Sequence, residues 1–108
     1  MRHYMINVKY DQTSARGLIA NPQDRKPQAA LIMERLGGRL IDFYFTFGPW
    51  DAVILVELPS EMHALAVVIA DMAGGIRDTC VTPLYSMDEA VSAMRLAQTI
   101  EYQAPGHP

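Results

Sequence analysis

At 108 residues the chain is long enough for one hydrophobic core and too short for a second domain. Half of it is hydrophobic and only 19% charged, with a formal net charge of −3 and no Lys/Arg cluster, so it offers no counterion-releasing footprint and nucleic acid is excluded as an expected partner. Residues 64–70 form the longest apolar stretch, far below the ~20 a spanning helix needs, and the N-terminus alternates instead of forming a signal-peptide core, so no membrane partner is expected and the cytoplasm is the expected location.

In residues 2–10, "RHYMINVKY", Tyr4, Ile6, Val8 and Tyr10 alternate with His3, Met5, Asn7 and Lys9, the period-2 pattern of a half-buried strand. A polar connection over 11–16 and "GLIANP" follow. In "DRKPQAALIMERLGG" Ala29, Ile32, Met33 and Leu36 recur at helical spacing. Gly37-Gly38 stop that helix, and Pro27 sets its start near Asp24 or kinks it there.

"RLIDFYFTF" (39–47) and "DAVILVEL" (51–58) read as two strands joined by a hairpin. With Gly48-Pro49 central in a type II′ turn, Gly48 takes positive φ. Phe47 then faces Trp50, Phe45 faces Ala52, Phe43 faces Ile54 and Ile41 faces Val56. The other face pairs Thr46 with Asp51, Tyr44 with Val53, Asp42 with Leu55 and Leu40 with Glu57. The aromatic face is the one expected beneath helices.

Residues 59–75 predict a helix with Ser60 as N-cap, an apolar stripe of Met62, Leu65, Ala66, Ile69 and Ala73, and Gly74-Gly75 at its end. "IRDTCVTPLY" is a less apolar strand whose Pro83 suits a sheet edge. Ser86 and Glu89 form a capping box that opens a last helix through Gln98. One domain over residues 1–100 with a flexible tail over 101–108 is the expected organisation.

This order is the split βαβ of an α+β, ferredoxin-like fold: a four-stranded antiparallel sheet with helices on one face and an extra C-terminal helix. Val53 and Leu55 lie on the face those helices leave open. A second copy, sheet against sheet, would cover it, and the apolar surplus agrees.

"GGRLIDFYFTFGPWDAVILVELP", 37–59, resembles the hallmark hairpin of the GYD-domain family, small proteins of the dimeric α/β-barrel group. The likeness runs on through "KY", "GLIANP" and "IRDTCVTPLYS"; Trp50 stands where the family usually has tyrosine, and Pro27 interrupts the first helix. The resemblance implies a homodimer or larger even-numbered oligomer with a cleft between sheets, and no single activity.

The open face gathers polar groups among apolar Met5, Val53 and Leu55, as small-molecule sites do. Asn7, Asp42, Tyr44, Thr46 and Asp51 are the expected ligand-binding residues. The alternative is that such groups pair with one another across a structural interface. His3 and Asp51 are the catalytic candidates, with His3 as a general base oriented by Asp42 or Asp51. His63 and His107 read as solvated surface groups. Cys80, the single cysteine, excludes an intrachain disulfide, fits a reducing compartment and lacks an activating neighbour. The methionines after Met5 read mostly as helix packing. No HxxxH or HxH spacing supports a metal, and no glycine-rich loop opens a helix for phosphate, so no cofactor is expected. Two functions compete: an oligomeric small-ligand protein, and a cofactor-free oxygenase or isomerase acting on a small apolar substrate in the cleft.

Overall fold

The structure, a computed structural model, describes residues 1–101 and 103–106. His107 and part of the expected tail thus lie outside the described residues. The elements are β1 (Arg2–Tyr10), α1 (Gln12–Ala20), α2 (Lys26–Arg35), β2 (Arg39–Phe45), β3 (Ala52–Leu58), α3 (Glu61–Ala73), β4 (Ile76–Leu84) and α4 (Met87–Gln98). The strands form one antiparallel sheet in the order β2-β3-β1-β4, the ferredoxin-like arrangement, with β3 central and Pro83 on the edge strand β4.

The alternation in β1 and β3 decides which face is covered. Tyr4, Ile6 and Val8 from β1 and Ala52, Val56 and Leu58 from β3 are buried with Met33 of α2 and Ala64 and Val67 of α3. Cross-strand partners share a face, so the opposite face carries three rows running from β2 through β3 and β1 to β4. They are Arg39–Glu57–His3–Leu84, Asp42–Leu55–Met5–Thr82 and Tyr44–Val53–Asn7–Cys80.

Several local expectations are corrected. Residues 11–16 are no loop: Asp11 caps α1, its carboxylate accepting from the Ser14 amide at 2.7 Å. That helix is pinned to the chain after α3, because the Asp11 amide and the Ser14 hydroxyl both donate to the Gly75 carbonyl, each at 3.1 Å. α2 begins at Lys26 without a kink, since Pro27 occupies its first turn, where no amide donor is needed. In β2 the register shifts between Leu40 and Asp42, a bulge at Ile41, so Leu40 and not Ile41 lies opposite Val56 and packs on the core. Arg39 in turn replaces Leu40 opposite Glu57.

The hairpin closes through the Thr46 amide donating to the Asp51 carbonyl at 2.9 Å, and Gly48 has the expected positive φ, +106°. Phe47 is 96% exposed, so Trp50 has no buried aromatic partner there; the stacked pair is Tyr10–Phe45, with ring centroids 5.8 Å apart.

α3 starts after Ser60 but buries Ala64 and Val67, leaving Met62, Leu65, Ile69 and Met72 exposed in a stripe. Its sequence is apolar on every side, so periodicity alone could not choose the face. Met62, Met72, Met87 and Met94 are exposed too, so of the helical methionines only Met33 fills the core.

α4 carries the expected capping box, the Glu89 amide donating to the Ser86 hydroxyl at 3.1 Å and the Ser86 amide to the Glu89 carboxylate at 3.0 Å. It packs on no other element of its own chain to a substantial extent. The radius of gyration is 17.7 Å, with extents of 61 × 33 × 21 Å, against roughly 13 Å for a compact chain of this length. The excess reflects a projecting helix.

Among the described residues one buried side-chain group has no partner: the Tyr4 hydroxyl lies in the core without a hydrogen bond. Because an unsatisfied buried hydroxyl carries its full desolvation cost, Tyr4→Phe is expected to raise stability by about 1 kcal/mol. Thermal melting should move upward by several degrees; a lower Tm would show that the hydroxyl is satisfied in solution.

Candidate functional site

On the open face the polar groups pair mainly with one another. His3 Nε2 lies 2.9 Å from Glu57 Oε1, and Arg39 donates to both Glu57 oxygens at 3.1 and 3.2 Å. The orienting carboxylate of His3 is therefore Glu57, with neither Asp42 nor Asp51 in that role. Glu57 titrates below its ordinary range, first because of the Arg39 bonds.

Asp42 receives the Tyr44 hydroxyl and the Phe43 amide, each at 2.8 Å, and Lys26 Nζ reaches it from the start of α2 at 3.0 Å. These donors, the Tyr44 hydroxyl foremost, hold its pKa at about 2. Asp42 and Tyr44 are thus a closed pair on the edge strand.

Asp51 stands at the far end of β1. Its carboxylate accepts the Tyr10 amide at 3.0 Å where the β1–β4 register shifts, with Lys9 Nζ at 3.5 Å, and its amide donates to the Val8 carbonyl at 2.9 Å. It tethers the hairpin to β1. His3 pairs beside Glu57 and Asp51 near Tyr10, roughly 20 Å apart at about 3.3 Å per strand residue, so the two catalytic candidates do not meet within one chain. Asn7 is half-buried in the row with Val53 and Cys80, while Thr46 is exposed and donates to the neighbouring Phe47 carbonyl at 3.2 Å. His63 is half-buried, its Nδ1 2.7 Å from the Ser60 hydroxyl. Among the described residues no cluster of three His, Cys, Asp or Glu could hold a metal ion.

The concave space lies on the opposite side of the sheet. α2 and α3 do not pack together, and between them the floor of the sheet is open. Two adjoining cavities fill this trough. One, of about 420 Å³, is lined by Ile6, Ile54, Met33, Leu36, Val67 and Ala70. The other, of about 430 Å³, extends under α1 past Val8, Tyr10, Leu18, Phe43 and Ile76, with Arg25 and Gln28 among its polar lining. Ile32, Ile54 and Asp71 border both.

Asp71 is the chemically distinctive group. It is half-buried in the last turn of α3, and one carboxylate oxygen, Oδ2, accepts the Thr79 hydroxyl at 3.1 Å. No cation pairs with it among the described residues, and burial pushes its pKa up despite the Thr79 bond. Sequence reasoning missed it. The available signal was that Asp71 is the sole Asp, Glu, Lys or Arg between Glu61 and Arg77, set within an otherwise apolar helix.

The fold and this geometry accompany a family match: the model of the GYD domain fits residues 4–94. The chain belongs to the GYD-domain family. Among solved structures, the crystal structure of MtbAldR resembles this GYD protein at a TM-score of 0.53 and 18% identity, over 99% of this chain and 57% of that one. At that identity the likeness concerns the fold alone. No curated protein matches the GYD chain. No helix among its described residues is long and apolar enough to cross a membrane.

Proposed function

We propose that this GYD protein is a self-associating small-ligand-binding protein whose ligand sits in the trough between α2 and α3, and not in a cleft between sheets. The observation carrying this reading is Asp71: a half-buried carboxylate with no cationic partner among the described residues, bordering both apolar cavities. Binding sites are typically apolar hollows of a few hundred Å³ with few convergent polar groups, and the trough has that make-up. The open face, whose charged groups are paired already, is better suited to contact with a second copy.

Self-association draws on two further features. Met5, Val53 and Leu55 form an apolar centre on the open face, and α4 is an amphipathic helix of 12 residues with little support from its own chain. Isolated helices of that length are marginal in water, so α4 needs a partner surface. A dimer or larger even-numbered oligomer supplies both.

A cofactor-free isomerase or oxygenase acting on a small apolar substrate is the second reading, and the same residue favours it. A half-buried carboxylate whose pKa burial raises above its ordinary value is a candidate general base. Turnover lost in Asp71→Asn with binding retained would select it. The test of the primary reading is an amide-resonance titration with a library of small apolar compounds. Hits should shift Ile54, Val67 and Ala70; shifts confined to Asn7, Asp42 and Tyr44 would return the site to the open face.

A further inference from the structure

The free oxygen of Asp71 narrows the ligand class. One carboxylate oxygen is occupied by Thr79, whereas Oδ1 has no hydrogen bond among the described residues, although the group is half-buried. Oδ1 is thus left to solvent, and a ligand that displaces that water from the trough must bring a donor of its own or leave the oxygen unpaired. The trough floor around it is apolar: Ile6, Ile54 and Val67 on one side, Val8 and Phe43 on the other.

A cation would satisfy Asp71, but Arg25 already lines the same trough and its charge disfavours a second positive group there. A carboxylate-bearing ligand would face Asp71 itself. What remains is a neutral molecule with an apolar body, flat enough to lie along Phe43, and an O–H directed at Asp71. We infer that the trough recognises neutral, largely apolar hydroxylated compounds, phenols being the simplest, through a hydrogen bond from the ligand hydroxyl to Asp71. This rests on the trough being the ligand site.

The test uses the full chain and two probes of one skeleton, p-cresol and 4-methylanisole, which differ in the masking of the single O–H donor. Resonances of Ile32, Ile54 and Val67 report occupancy during titration. The expected result is that p-cresol binds about tenfold more tightly, because the anisole leaves Oδ1 unpaired. In Asp71→Ala the preference should shrink to within about twofold; Asp71→Asn, which retains an acceptor, should restore part of it. Circular dichroism checks that both variants fold. If neither probe moves the trough resonances at millimolar concentration, the trough is not the site and the proposed function fails with it. Equal affinity for the two probes leaves the trough as the site but overturns the inference about its ligand. A preference for p-cresol that survives undiminished in Asp71→Ala also overturns it, since recognition would then come from another residue.

Discussion

Replacing Leu55 with aspartate is expected to break the proposed oligomer into monomers of 12.0 kDa in sedimentation or light scattering at micromolar concentration. Leu55 occupies the middle row of the open face, opposite Met5 on one side and Asp42 on the other. A carboxylate there would be buried by a second copy without a cation, a cost of several kcal/mol. It would also stand across from Asp42, which the Tyr44 hydroxyl, the Phe43 amide and Lys26 keep ionised down to a pKa of about 2. Like charges directly opposite in a sheet repel. In the lone chain Leu55 is only half-buried, so the fold itself should survive and circular dichroism should keep its native form. A wild-type chain that runs as a monomer, or a Leu55→Asp chain that stays associated, contradicts the proposed packing.

The part of the fold legible in the sequence is the part fixed by the alternation in β1 and by the hairpin turn. In β1 the apolar and polar residues alternate, and the Gly48-Pro49 turn sets how β2 meets β3, so the hairpin register from Phe45–Ala52 to Asp42–Leu55 can be read although β3 is apolar on both faces. Beyond that point Leu40 and Ile41 are both apolar, and either could turn inward; the bulge chooses Leu40. A similar degeneracy hides the buried face of α3, whose helix is apolar on every side. α1 is short and lacks an acidic first turn, and its one signal, Asp11 as N-cap, resembles an ordinary loop aspartate.

The candidate site was less legible than the fold for a physical reason. Sequence patterns assign residues to faces, and the open face could be populated that way with His3, Asn7, Asp42, Tyr44 and Asp51. A trough arises from how far apart two helices pack, which no periodicity encodes. Asp71 becomes conspicuous only once α2 and α3 are seen to leave the sheet floor between them open.

Gly38→Ala is expected to be among the most damaging single substitutions in the protein, lowering stability by about 3 kcal/mol or more. The pair Gly37-Gly38 ends α2 in a Schellman arrangement: the Gly37 amide donates to the Glu34 carbonyl and the Gly38 amide to the Met33 carbonyl, each at 2.9 Å. The two glycines are required for different reasons. Gly37 has φ +76°, and a Cβ there would meet only Pro59 Cγ at 3.6 Å, so alanine would suffer backbone strain of about 1 kcal/mol. Gly38 has no positive φ; its need is space. A Cβ would overlap the carbonyl oxygen of Glu57 and come within 2.9 Å of Leu58 Cδ2, and the first of these is β3 backbone that cannot swing aside. Relief requires moving the start of β2 away from β3, which opens the Arg39–Glu57 pairing and disturbs Leu58, a fully buried core residue. Set against a total of about 5–15 kcal/mol for a small domain, that loss is large. Thermal melting should fall by roughly 15 °C for Gly38→Ala and by roughly 5 °C for Gly37→Ala. Equal shifts would mean that β2 enters the sheet less closely than Gly38 indicates, and that both glycines serve only to end the helix.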